Sequence, residues 1–331
     1  MSRPSPMRIL LSRTDRVGDL ILSTPAIASV RRSFPDAHVT LACSTYNAVV
    51  VDRSPDVDQV AMLAPGTKPR AFGARFLGVD LAIALAPRDV DHRIVAATRA
   101  RRRVGYTYAT RYVARLLLRT MLTDVVLSEA DPTTAERRPE LVIAHEVDQV
   151  LAVVAAAGAH TLARELVLPV TAEDRAAVAD LPPRPVVVQL GRRWSEHGST
   201  TASCLQLFRD LRALGRPLVA TYGDDARELG EAVANARVAD VVLGSLPFHV
   251  WAAAFERAVC VVTIDTGATH VASAVRAPTV VIFEHKWFRL ASQEWSPYRV
   301  PNAILRKPPD DSETSLRASR AEIVAAVASL L

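Results

Sequence analysis

Two short stretches of this chain carry residues whose types and spacing suit group transfer. At 264–270 the chain reads Ile-Asp-Thr-Gly-Ala-Thr-His, between an apolar run at 259–263 and an alanine-rich helical segment at 271–275. A buried strand that breaks at Thr266-Gly267 into a helix leaves backbone N–H groups unpaired at the helix start, where the helix dipole adds positive potential. Asp265, Thr266, Gly267 and Ala268 therefore frame a site for a phosphate. His270 either donates to a phosphate oxygen or caps the turn. The second stretch, Ser-Arg-Thr-Asp-Arg-Val-Gly-Asp at 12–19, also joins an apolar run to a helical pattern. Gly18 permits a tight turn, and Asp19 falls at or just inside the helix start. Asp19 is then either a first-turn acid worth ~1 kcal/mol or a carboxylate able to take a proton from an attacking hydroxyl.

Other charged groups follow predicted strands. Gly191, Arg192 and Arg193 come after one; an arginine holds phosphate bidentately, while the plain alternative is a solvent-exposed basic loop. Tyr222-Gly-Asp-Asp-Ala-Arg-Glu228 comes after another, where an acid can accept ribose hydroxyls or simply start a helix. Arg99, Arg101, Arg102 and Arg103 precede Arg111, Arg115 and Arg119, which are four apart and form one helical stripe. That stripe is either a solvated face or a contact for an acidic acceptor or anionic lipid headgroups. Arg16, Arg101 and Arg102 are the acceptor-side candidates. Aromatic residues make up only 5% of the chain, which argues against a stacking nucleic-acid surface.

Positioning such residues takes alternating strands and helices, and the chain supplies them. Short apolar runs at 8–12, 38–44, 59–63, 80–86 and 124–127 alternate with helical patterns such as 19–33 and 92–103, and a long helix is expected over 136–157. After the proline-rich 181–185, runs at 186–190, 218–222, 240–243, 259–264 and 279–283 repeat the pattern, and an amphipathic helix closes the chain at 316–331. This is the signature of α/β doubly wound parallel sheets. At 331 residues, two domains of about 150 residues each are expected: 1–180, then 181–313, with 314–331 able to pack back on the first. Neither domain has G-x-G-x-x-G after its first strand, against a dinucleotide site. Three dispersed cysteines read as reduced core residues without metal spacing. With neither a signal-peptide pattern nor an apolar run of ~18 residues, a cytoplasmic protein is expected, at most peripheral on a membrane. The net charge of +5 favours acidic partners without choosing among them.

The segment 9–27, Ile-Leu-Leu-Ser-Arg-Thr-Asp-Arg-Val-Gly-Asp-Leu-Ile-Leu-Ser-Thr-Pro-Ala-Ile, with Arg31-Arg-Ser-Phe-Pro35 after it, resembles the amino-terminal signature of the ADP-heptose:lipopolysaccharide heptosyltransferases, glycosyltransferase family 9. Asp265–His270 with Ala277-Pro-Thr-Val-Val281 resembles the second signature of that family. The resemblance implies a GT-B fold, two Rossmann-like domains facing across a cleft, with donor bound to the second and acceptor to the first. It further implies inverting transfer of a sugar, heptose foremost, from a nucleotide diphosphate donor (probably in the ADP-linked form) to a lipopolysaccharide-type or other cell-surface glycan, without a metal or other cofactor. Asp19 matches the family's catalytic base. Ser12, Gly191, Arg192, Arg193, His197, Glu228 and the turn Asp265–His270 then form the donor-binding set. Glu228 is the nearest match to the ribose-binding glutamate, with Asp224 as the alternative. Two departures stand out. The family lysine and Trp-Pro after the first strand of the second domain are missing, His197 falling nearest the lysine position. The usual Phe-Gly-Pro-Thr-Asp-Pro is replaced by Phe283-Glu-His-Lys-Trp-Phe-Arg-Leu290, which puts heptose specificity in question.

Overall fold

A computed structural model of the chain describes residues 6–129, 131–196 and 198–331. They divide into two compact units, Met1–Leu168 and Pro169–Leu331. In the first unit six strands, β1 (Arg8–Arg13), β2 (His38–Ser44), β3 (Gln59–Leu63), β4 (Leu81–Ala84), β5 (Arg102–Tyr108) and β6 (Asp124–Ser128), form one parallel sheet in the order β3-β2-β1-β4-β5-β6. The second unit repeats the plan with β7 (Val186–Leu190), β8 (Leu218–Tyr222), β9 (Val241–Gly244), β10 (Cys260–Ile264), β11 (Thr279–Phe283) and β12 (Asn302–Arg306), ordered β12-β11-β10-β7-β8-β9. Both are doubly wound sheets whose strand order reverses once, between β1 and β4 and between β7 and β10. Ligands bind such sheets at the carboxyl ends of the strands beside that reversal.

The central strands are apolar on both faces because helices cover both. Helix Val17–Ser33 is buried along most of its length and carries Pro25 inside it. Pro25 offers no N–H to the Ile21 carbonyl, and Thr24 Oγ1 donates to that carbonyl instead at 2.7 Å. The same helix holds the chain leaving the unit: the amides of His160 and Thr161 donate to Ser33 Oγ, Ala163 to Ser29 Oγ and Val167 to Thr24 Oγ1, all at 2.9 or 2.8 Å.

Those bonds hold the chain to the first compact unit as far as Leu168, where that unit ends. Residues beyond it belong to the second unit, where Arg175 grips Glu256 bidentately at 2.6 and 2.8 Å. The terminal helix, Glu313–Leu330, is likewise built into the second unit rather than being a separate element. Its Ile323 and Val327 enter that core, and Arg320 reaches Ser203 and Asp210 on helix Thr201–Arg212. Of the helix expected over 136–157 only Glu146–Ala156 forms, and 136–145 is turn and irregular chain, since Pro139 cannot sit inside a continuous helix. Strands β5 and β12 escaped the sequence pattern. The charged or polar starts of the two, Arg102-Arg103 and Asn302, mask the apolar signal.

Candidate functional site

At the carboxyl end of β1 the chain turns through Thr14–Arg16 into helix Val17–Ser33, and Asp19 occupies its first turn. Its carboxylate is about 19% exposed and lies 3.5 Å from Arg13 Nη2. Arg13 itself is buried, with Nε 2.9 Å from Asp15 and Nη1 2.7 Å from Glu146. Arg13 Nη1 also donates to the Leu85 carbonyl, which crosses the reversal from β1 to the exit of β4. Tyr106 donates its hydroxyl to the same Glu146 oxygen at 3.1 Å, and Asn47 Nδ2 donates to the Arg13 carbonyl at 3.1 Å. One buried cation is thus ringed by three carboxylates and fixed by three strands' ends.

The electrostatics follow from that ring. Burial alone would lower the Arg13 guanidinium, but Asp15, Glu146, Tyr106 and Asp19 outweigh it and hold the group well above its ordinary value. Burial pushes the Asp19 carboxyl above the usual carboxylate range; Arg13 opposes this, Glu146 adds to it, and Arg16 with its backbone amide opposes it. Asp15 is also raised by burial against the pull of Arg13. Beside them Asp91, fully buried, accepts from Ser12 Oγ at 2.7 Å, the Thr14 amide at 3.0 Å and Thr14 Oγ1 at 3.1 Å. Burial and the nearby Asp15 push its carboxyl up to about 6.

The second unit builds its own site at the reversal between β7 and β10. Thr266 caps helix Gly267–Ala274, its hydroxyl accepting from the Ala268 amide at 3.4 Å. That long bond leaves the amide open to exchange its partner for an incoming oxygen. From the exit of β7, Arg193 Nη1 donates to the Asp265 carbonyl at 2.7 Å and lies 3.3 Å from its carboxylate. The Arg193 carbonyl in turn accepts from Lys307 Nζ at 2.6 Å, and Lys307 pairs with Glu284 at 3.0 Å. Gln189 anchors the base of the loop: its carbonyl accepts from Trp194 Nε1, and its Oε1 accepts from Thr221 and Trp251.

The structure sorts the sequence candidates. Asp19, Gly191, Arg193, Asp265, Thr266, Gly267 and Ala268 all lie at the carboxyl ends of strands beside the two reversals. Glu228 is exposed in the first turn of helix Arg227–Asn235, after β8 and on the same edge. Arg192 is 76% exposed and pairs with Glu196 at 3.0 Å. Arg16 is exposed at the start of the Asp19 helix, whereas His270 is buried inside its helix. His197 lies outside the described residues. Three other candidates lie apart from these. Ser12 is buried, and its hydroxyl donates to Asp91. Arg101 and Arg102 sit at the amino end of β5, the opposite edge of the sheet from Asp19; Arg102 donates to the Ala156 and Ala157 carbonyls and so closes the helix Glu146–Ala156. Sequence reasoning missed Glu146, Tyr106, Asp91 and Lys307. Their segments carry no motif, and only strand order brings them to the site.

Among the described residues no group of three or more His, Cys, Asp or Glu side chains is placed to hold a metal ion, and no helix is long and apolar enough to cross a membrane. Residues 218–305 match the family model for glycosyltransferase family 9 (heptosyltransferase). No curated protein matches the chain in sequence. Among solved structures, a glycosyl transferase family 9 protein from Veillonella parvula superposes with a TM-score of 0.74 at 17% identity, covering 98% of this chain and 97% of that one. The ADP-heptose lipopolysaccharide heptosyltransferase II of E. coli gives 0.72 at 17% identity, covering 98% of both chains. The E. coli heptosyltransferase WaaC with ADP gives 0.65 at 15% identity, covering 98% of this chain and all of the other.

Proposed function

We propose, from the premise that this chain is a GT-B glycosyltransferase carrying the family 9 domain, that it performs inverting transfer of a sugar, heptose foremost, from an ADP-linked donor to a lipopolysaccharide-type or other acidic cell-surface glycan. The observation that carries the reading is Asp19: a partly exposed carboxylate at a sheet reversal, lifted by burial and held by a buried arginine. A base works best when its pKa is drawn toward the working pH. Asp19 takes the proton of the acceptor hydroxyl as that oxygen attacks the anomeric carbon. The bond from that carbon to the diphosphate breaks, and the electron pair leaves with the phosphate.

Charge develops on the departing diphosphate, and the second unit offers fixed donors to meet it: the amides at Thr266–Ala268 and the guanidinium of Arg193, with Arg192 nearby. These groups support departure of the diphosphate without a metal. Glu228 is the acid for the ribose, and Arg16 the cation for an acidic acceptor. Peripheral contact with the inner face of the cytoplasmic membrane belongs to the same reading.

One observation favours a different donor sugar as the second reading. In the segment 284–290, Trp287 starts helix Phe288–Glu294 in the left-handed region, at φ 63°, and stays 41% exposed beneath Lys286. Holding a bulky aromatic in that region costs about 1–3 kcal/mol, and such strain gathers at ligand-contacting sites. Trp287 is therefore a specificity element for whatever sugar the diphosphate carries. Purified chain assayed with a panel of nucleotide sugars, alone and with acceptor glycan, decides the matter. Transfer from ADP-heptose supports the first reading and transfer from another donor the second. Binding without transfer or hydrolysis across the panel would leave a non-catalytic nucleotide-sugar partner.

A further inference from the structure

In the first unit, helix Tyr112–Met121 is turned the wrong way round for a helix packed on a sheet. Leu118 is its only buried residue. Tyr112, Val113, Leu116 and Leu117 are 58–74% exposed. Their spacing puts all four on one side of the helix, while Arg111, Arg115 and Arg119 run along another. Arg111 stacks over the Tyr108 ring at 4.8 Å, and Arg115 donates to the Ala109 carbonyl at 3.0 Å.

A second feature adjoins the first. The far end of the helix, at Thr120 and Met121, lines an open groove of about 620 Å³ that is also lined by Arg70, Arg99, Arg103 and the exposed Leu77. Arg103 ties the two together by donating to the Met121 carbonyl at 2.9 Å. The segments that build this face, 64–79 and 92–123, contain no Asp or Glu and carry three and eight Lys or Arg respectively. Of the eight, Arg93 and Arg102 pair with Asp89 and Asp124 just outside the segment, and among the described residues the other six make no such ion pair. The whole chain has a net charge of only +5, so this face is strongly basic by comparison.

An exposed apolar stripe bordered by an excess of cations suits one environment. Apolar side chains gain by leaving water for the acyl boundary, and guanidiniums gain at anionic headgroups. A second copy of the chain is the wrong occupant, because two-fold pairing would press arginines against arginines. We propose that helix Tyr112–Met121 and the adjoining arginine groove form a docking face for an anionic lipid bilayer, with Tyr112, Val113, Leu116 and Leu117 entering the interface and Arg99, Arg103, Arg115 and Arg119 meeting phosphates. The inference rests on the membrane contact of the functional reading and names its surface, but the binding it describes needs neither donor nor acceptor.

Sedimentation of the full chain with vesicles of equal parts phosphatidylglycerol and phosphatidylcholine, in the absence of any sugar nucleotide, tests it. Wild type should sediment with these vesicles and not with pure phosphatidylcholine, and rising salt should release it. The variant Leu116→Glu/Leu117→Glu, changed only at exposed positions, should bind at least tenfold less. Arg99→Gln/Arg119→Gln should bind less by about fivefold for each charge removed. Circular dichroism and transfer activity on a soluble acceptor fragment verify that the variants fold. Equal sedimentation of wild type and both variants would overturn the proposal, as would failure of wild type to bind anionic vesicles. So would a wild-type dimer in light scattering that Leu116→Glu/Leu117→Glu dissolves, which would give the face to a second copy. Loss of transfer with lipid binding intact would count against the functional reading alone.

Discussion

Arg13 Nη2 stands 3.5 Å from the Asp19 carboxylate while the same guanidinium closes tighter pairs with Asp15 and Glu146, at 2.9 and 2.7 Å. The unequal sharing matters. Arg13 is oriented by the two nearer acids and the Leu85 carbonyl, so it positions Asp19 without fully neutralising it. A carboxylate that is held in place yet kept above its ordinary pKa is what a general base requires.

Asp19→Asn keeps the size of the side chain and removes its basicity. Transfer should fall by about 10²–10⁴-fold, while donor affinity by calorimetry stays near wild type, because the proposed donor groups lie in the other unit. Full turnover in this variant would end the assignment of Asp19 as base.

Arg13→Met should destabilise the fold by about 3–5 kcal/mol, since it strands buried carboxylates without their cation. Urea unfolding measures this. Adding Glu146→Leu should recover part of the loss, because the second change removes one of the stranded charges. A double variant no more stable than Arg13→Met would show that Glu146 matters through Tyr106 instead.

Arg193 and Arg192 are neighbours with different surroundings, and they should separate. Arg193→Ala removes the guanidinium beside Asp265 at the proposed donor turn and should weaken ADP-sugar binding by about tenfold or more, the scale of a charge-assisted hydrogen bond. Arg192→Ala, at an exposed position paired with Glu196, should change affinity far less. Equal losses would mean that both arginines grip the diphosphate directly.

Asp91 gives the fold a pH dependence of known sign. Its carboxyl is raised from 3.8 in the unfolded chain to about 6 in the folded one. Between those values the native state keeps a proton that the unfolded state releases, so stability from this group falls as pH rises from about 4 to about 6 and is level above that. The full effect is about 3 kcal/mol. Asp91→Asn should flatten the pH profile of the urea midpoint across this window. An unchanged slope would place the titration elsewhere.

Tyr222 lies between two glycines at the end of β8. A Cβ added at Gly230 would come 2.3 Å from its ring, and one at Gly244 would come 2.5 Å away. Gly230→Ala should therefore cost about 1–3 kcal/mol through overpacking, read as a lower melting temperature. The cost should shrink in the Tyr222→Ala background, because the two changes share one contact.

Much of the donor turn was legible in the chain because it is local. A strand of apolar residues, a Thr-Gly break and a helix start lie within the thirteen residues 259–271, and Thr266 caps that helix. Asp19 was legible for the same reason, though its neighbours were not. Arg13 and Asp15 stand in the same stretch as Asp19, but the other close acid on Arg13 is Glu146, more than a hundred residues away in a helix that starts ten residues later than the pattern indicates. The edge of the sheet on which the arginines at 101–103 sit is not legible, because charge reveals exposure and not which edge a residue occupies.

By itself the sequence determined two doubly wound sheets, the strand-to-helix turns and the acid and arginine types at them, because periodicity, caps and glycine breaks act over a few residues. Only the tertiary structure decided that Arg13 would be ringed by Asp15, Asp19 and Glu146, that Arg193 would reach Asp265, and that Ser12 would face Asp91. Strand order makes those choices. It brings the exits of β1 and β4, and of β7 and β10, side by side, and burial between them turns ordinary side chains into groups with altered charge.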